Sequence, residues 1–155
     1  MSIMSIIKSS PLFYEFFDAE VEQIVERCQV LSLQNGEFVF KEGDQGEDIF
    51  IILTGSAQVK KNTVILAELK KGDLFGEMVL LNNNQRSADI VATTFTDVLV
   101  LNYHSIFSFY QSHPKIFSLL ILNLSRLLAK RLDQSGQTIR KLNDDINNLK
   151  VVKAA

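Results

Sequence analysis

The chain has 155 residues, 46% of them hydrophobic and 22% charged, which is enough for one core and too little for two. Sixteen basic against eighteen acidic side chains leave a net charge of −2, which argues against a surface built to coat DNA or RNA. A single cysteine, Cys28, excludes a disulfide framework and a cysteine-rich zinc site, and two histidines, His104 and His113, cannot assemble a histidine-rich metal centre.

The first seven residues are apolar, but the one lysine follows the run instead of preceding it, so they do not read as a secretory signal. The longest apolar stretch, near residues 119–122, is far below the roughly 20 residues of a membrane span. We expect a cytoplasmic domain with no membrane contact.

Residues 11–30 read as a helix with Asp18 as N-cap, because Val21, Ile24, Val25 and Cys28 recur at helical spacing. Cys28 then reads as a small buried residue on that face. Beyond it the texture changes to short β-like runs at 37–41, 48–53, 57–60, 64–69, 89–93 and 97–101. Glycine and Asn/Asp turns separate them, and strands at this spacing predict a sandwich or barrel. From His104 the pattern is helical again, with a short piece at 105–111 and Pro114 opening a long helix. His104 and His113 sit at element junctions, and neither reads as catalytic.

The long helix carries a second pattern. Leu128, Leu132, Ser135, Ile139, Leu142, Ile146 and Leu149 are spaced by alternating fours and threes, an a/d seam suited to a two-stranded coiled coil. Gly136 and the helix-poor run 143–148 predict fraying at its far end. The alternative is an amphipathic helix folded onto its own domain, but a core-facing helix usually shows a wider stripe.

The chemistry concentrates in residues 71–88. Phe75, Gly76 and Glu77 begin a short helical pattern over 77–81, and Arg86, Ser87 and Ala88 follow a polar turn. A glycine admits close backbone approach, and amides at a helix start favour anions. An arginine keeps its charge when desolvated and offers a fork matched to phosphate oxygens. Ser87 adds a donor, and Glu77 accepts from sugar hydroxyls. These groups describe a pocket for a compact phosphorylated sugar.

Phe75-Gly76-Glu77, followed nine positions after the glutamate by Arg86-Ser87-Ala88, resembles the phosphate-binding cassette of cyclic-nucleotide-binding domains. The turns Asn35-Gly36-Glu37, Lys41-Glu42-Gly43-Asp44 and Gly72-Asp73, with Gly55, Pro114 and Lys130-Arg131-Leu132, extend the resemblance over roughly residues 11–136. It implies an α+β fold, an antiparallel β-roll or jelly roll flanked by N-terminal helices and a long C-terminal helix. Residues 1–10 would then be an N-terminal extension and 137–155 a coiled-coil-like continuation. It further implies that Glu77 accepts the ribose 2′-hydroxyl, that Arg86 clamps the cyclic phosphate, and that Ser87 and amides near Met78, Val79 and Ala88 complete the anion site. Arg131 and Ser135 match purine-facing positions of the catabolite activator branch. Two residues depart from the family pattern: Val79 stands where alanine or glycine is usual, and Gln85 where proline is common.

Only about twenty residues follow Gly136, and they continue the heptad, so a complete chain would lack a helix-turn-helix module and direct DNA binding. The expectation is a non-enzymatic, stand-alone sensor of cAMP, with cGMP and cyclic di-GMP as alternative ligands and no cofactor. It would be homodimeric through Leu128, Leu132, Ile139, Leu142, Ile146 and Leu149 and would signal to an unidentified effector protein. The competing reading is a degenerate fold that serves only as a docking and dimerisation module.

Overall fold

The computed structural model describes residues 2–80 and 84–155. Leu81, Asn82 and Asn83, read above as the end of the short helix and part of the polar turn, lie outside them, as does Met1.

Among the described residues, eight strands form two antiparallel four-stranded sheets. They are β1 (Gln29–Leu33), β2 (Phe38–Phe40), β3 (Asp48–Thr54), β4 (Ser56–Lys61), β5 (Val64–Lys70), β6 (Leu74–Phe75), β7 (Asp89–Ala92) and β8 (Thr96–Asn102). One sheet has the order β1-β8-β3-β6 and the other β2-β7-β4-β5. Helices α1 (Ile3–Ser9) and α2 (Asp18–Val25) precede the strands. Helices α3 (Tyr103–Phe107), α4 (Phe109–Ser112) and the 41-residue α5 (Pro114–Ala154) follow them. This is the antiparallel jelly roll flanked by helices that the cassette resemblance implied.

Strand β3 shows how the layers are held. Its run Ile49-Phe50-Ile51-Ile52-Leu53 is buried throughout because both faces are covered. Ile49, Ile51 and Leu53 pack under the helices with Ile7, Val21, Ile24, Phe109, Ile116 and Leu120. Phe50 and Ile52 point into the space between the sheets, against Phe75, Ile90, Ala92 and Val98. Residues 3–9 belong to the same packing, since Ile6 and Ile7 of α1 are buried.

The single helix expected over residues 11–30 is corrected to three pieces. Pro11–Phe13 form a 3₁₀ turn, α2 covers only Asp18–Val25, and residues 29–33 are β1, paired with β8. The break has a tertiary cause. The buried Asn123 amide on α5 donates to the carbonyls of Leu12 (3.0 Å) and Tyr14 (2.8 Å), satisfying there the groups a continuous helix would pair internally. Glu15 follows with φ 67°. The N-cap is Phe17, not Asp18; Glu20 reaches back to accept from the Phe17 N–H at 2.9 Å, and Asp18 pairs with Lys8. Cys28 lies just past α2, where its Sγ donates to the Ile24 carbonyl, and burial pushes its thiol up to about 12. It packs against the core as expected, but only partly buried and beyond the helix end, not on a helical face. The two-residue β6, which places Phe75 opposite Phe50, is too short to leave a pattern in the sequence.

Gly55 turns the chain from β3 into β4 at φ +78°, and a Cβ there would overlap the Phe95 carbonyl oxygen and lie 2.6 Å from Thr96 Oγ1. Gly55→Ala is therefore expected to cost about 2–4 kcal/mol, the sum of roughly 1 kcal/mol of left-handed strain and about 1–3 of overpacking. Gly36, with φ +88° and open space around it, is the control: Gly36→Ala carries the strain alone, about 1 kcal/mol. Urea unfolding of both variants separates the two contributions.

Candidate functional site

Arg86 lines a cavity of about 820 Å³ and is only 5% exposed. Its Nη1 donates to the carbonyls of Asp48 (3.0 Å) and Gly76 (3.2 Å). Its guanidinium stands over the Phe40 ring at 4.2 Å and within 5.5 Å of Phe50. Among the described residues, Nε is buried without a hydrogen-bond partner. Among the described residues no carboxylate comes within ion-pair distance of this cation. Burial pulls the guanidinium below its ordinary value, opposed by the more distant negative charges of Asp48 and Asp44. A desolvated cation with an idle donor is suited to receive an anion, which would offset the cost of burying the charge.

Two chain segments hold it there. The Arg86 N–H donates to the Asp44 carbonyl at 2.9 Å, its own carbonyl accepts from Gly43 at 2.8 Å, and the Gly46 N–H reaches the Asn84 carbonyl at 3.0 Å. Gly46 is glycine because the guanidinium occupies the place of its side chain: a Cβ would lie 2.5 Å from Nη2 and 2.6 Å from Nε. Gly76, at φ +84°, is closed in by the Asp48 carbonyl and the Phe50 ring, each 3.0 Å from a Cβ built there.

Glu77 opens the 3₁₀ turn Glu77–Leu80, the short helical piece expected at this place. Its side chain is 13% exposed, and its Oε1 accepts from Arg131 Nη1 while Arg131 Nη2 donates to the Leu74 carbonyl. This contact ties α5 to the cassette. From Arg131 the helix continues along the cavity with Gln134, Ser135, Thr138 and Ile139, just over two turns spanning about 12 Å. Val59, Leu66 and Leu69 of the β4–β5 hairpin line it as well.

A model of the cyclic nucleotide-binding domain matches residues 30–113. The chain belongs to the cyclic nucleotide-binding domain family. It is 31% identical over 134 residues to the cyclic AMP receptor protein of Thermus thermophilus, covering 83% of this chain and 60% of that protein. It is 36% identical over 91 residues to a cAMP-dependent protein kinase regulatory subunit of Mycosarcoma maydis, covering 56% of this chain and 17% of that one. The chain thus spans less than two thirds of these relatives' length. The solved cyclic nucleotide-binding domain from Methylobacillus flagellatus superposes with a TM-score of 0.77 at 30% identity, covering 88% of this chain and 80% of that one.

Within this cyclic nucleotide-binding domain, Phe75, Gly76, Glu77, Met78, Arg86, Ser87, Ala88, Arg131 and Ser135 all line this cavity. Val79 does not. Its side chain is buried in the core beneath the helices, and its N–H donates to the Gly76 carbonyl at 3.3 Å, so the extra bulk at this position faces away from the site. Ser135 lines the cavity from the helix that also carries the apolar seam. The sequence reading missed Phe40 and Phe50 as the shelf under Arg86, Gly46 as its clearance, and Gln134 and Thr138 on the α5 wall. The last two had a signal: they lie three and seven positions beyond Arg131, on the same helical face.

Proposed function

We propose that this domain is a cAMP sensor that binds one nucleotide per chain and signals through a dimer of its α5 helices. The buried Arg86, a cation that meets no carboxylate at ion-pair distance among the described residues and lines the cavity, is the observation that carries the reading. Arg86 and Ser87 take the cyclic phosphate, Glu77 accepts the ribose 2′-hydroxyl, and the purine lies between the β4–β5 hairpin and the Arg131–Ser135 turn of α5. In this reading residues 11–136 form the binding unit and 137–155 extend the dimer helix.

Glu77 is the switch point. The ribose hydroxyl and Arg131 share one carboxylate, so nucleotide binding changes the contact that fixes α5 to the cassette. Ligand shifts the helix only as far as it binds one arrangement better than the other. The helix has a face to signal with: no α5 residue beyond Leu124 is buried, and Leu132, Ile139, Leu142 and Leu149 are each more than half exposed. Among the described residues no helix is long and apolar enough to cross a membrane.

Calorimetric titration with cAMP tests the proposal. Saturable binding at one nucleotide per chain is expected. A flat trace from folded protein, repeated with cGMP and cyclic di-GMP, would overturn it in favour of a docking module.

A further inference from the structure

A row of stacked rings stands on the surface where α3 and α4 meet the start of α5. Tyr103 stacks on Phe107 with centroids 6.1 Å apart, and Phe107 on Tyr110 at 5.7 Å. Phe117 of α5 meets Phe107 and Tyr110 edge-on, at 5.9 and 5.4 Å. Phe107 nevertheless remains 50% exposed and Tyr110 55%. Adjacent aromatics left half in water have the composition of an interface core.

The row is continuous with the apolar seam of α5. At about 100° per residue, Phe117, Ile121, Leu128, Leu132, Ile139 and Ile146 fall within roughly 60° of arc on one helix. Ile121, Ser125 and Leu128 keep the seam's four-and-three spacing, and the Ser125 hydroxyl is satisfied by donating to the Ile121 carbonyl at 2.8 Å. Charge decides what can cover this surface. Across a twofold axis each group lies near its own copy, so unpaired charges there repel one another. Between Ser105 and Leu128 the sequence has no Asp or Glu, and its Lys115 and Arg126 are turned to the N-terminal segment in ion pairs with Glu20 and Glu15. Further along, Asp145 and Lys150 take a g position and the e position after it, which meet as opposite charges when two such helices run parallel. Parallel helices bring both aromatic rows to the same end; antiparallel helices would hold them apart.

We infer that the aromatic row Tyr103, Phe107 and Tyr110 is a docking surface for a second copy of this chain, covered by the same row of that copy when the α5 helices run parallel. The inference rests on the proposed α5 dimer and adds to it a surface outside the helix. The seam over residues 128–149 is about three heptads long and is interrupted by Ser135 and Gly136. Rigid aromatic anchors at its head supply the tight contact that so short a coil lacks.

The test is sedimentation equilibrium of the full chain carrying Tyr110→Glu or Tyr110→Lys. Tyr110 is exposed and does not line the nucleotide cavity, so either charge is tolerated by the folded chain, which circular dichroism verifies. Each variant alone sets like charges against each other, and its dimer dissociation constant is expected to rise at least about tenfold. An equimolar mixture of the two should recover tighter association as a heterodimer, because the opposed charges then attract. Dissociation constants equal to the wild type's in both variants overturn the role of the aromatic row and leave the α5 dimer standing. Weakening that the mixture does not reverse overturns the contact of the row with its own copy. A wild-type chain that sediments as a monomer overturns both the row and the dimer.

Discussion

Arg86→Ala is expected to weaken cAMP binding by about 2–5 kcal/mol, the range for removing one partner of a buried charge pair. On the affinity scale that is roughly 30- to 4,000-fold. The effect is large because the surroundings are built around the guanidinium. Two carbonyls orient it, the Phe40 ring shelves it, and the turn at Gly46 leaves room for it. Arg86→Lys keeps a charge but loses the fork and the idle Nε, so it should recover only part of the affinity. Gly46→Ala supplies an independent check. Its methyl group would displace the guanidinium from a distance in sequence, and binding should fall although every ligand-facing residue is retained. Calorimetry on the three variants, with circular dichroism to confirm the fold, decides the matter. Wild-type affinity in Arg86→Ala would remove the phosphate site from this cavity.

The double variant Leu142→Glu, Ile146→Glu is expected to sediment as a monomer of 17.5 kDa where the wild type sediments at twice that mass. Each side chain in the seam of a two-stranded coil contributes about 1.5–3 kcal/mol of apolar burial, and a glutamate there adds an unpaired charge to the interface. Both positions lie beyond the residues that line the cavity, so cAMP affinity of the monomer isolates binding from assembly. A monomeric wild type at micromolar concentration would overturn the dimer proposal, and a double variant that remains dimeric would move the interface off this stretch of α5.

Most strands were legible because their apolar runs lie between glycine or Asx turns, and turn chemistry is local. The cassette was legible for a related reason: Gly76, Glu77, Arg86 and Ser87 fall within a dozen residues of one another, so their spacing survives in the sequence. Phe17 as N-cap, the break before α2 and strand β1 were not legible. Asn123 satisfies the Leu12 and Tyr14 carbonyls from more than a hundred positions away, and β1 exists only because β8 pairs with it.

The sequence alone therefore determined most of the short strands, the long C-terminal helix and the cassette residues proposed for phosphate and ribose, since each rests on neighbours along the chain. Only the tertiary structure decided that Val79 packs into the core, that Arg131 shares Glu77 with the cassette, and that Gly46 makes room for Arg86. It also decided that Thr138 belongs to the cavity wall. The reason is the same in each case: these relations join residues that burial and close packing bring together, and no local pattern in the chain encodes which distant partner will arrive.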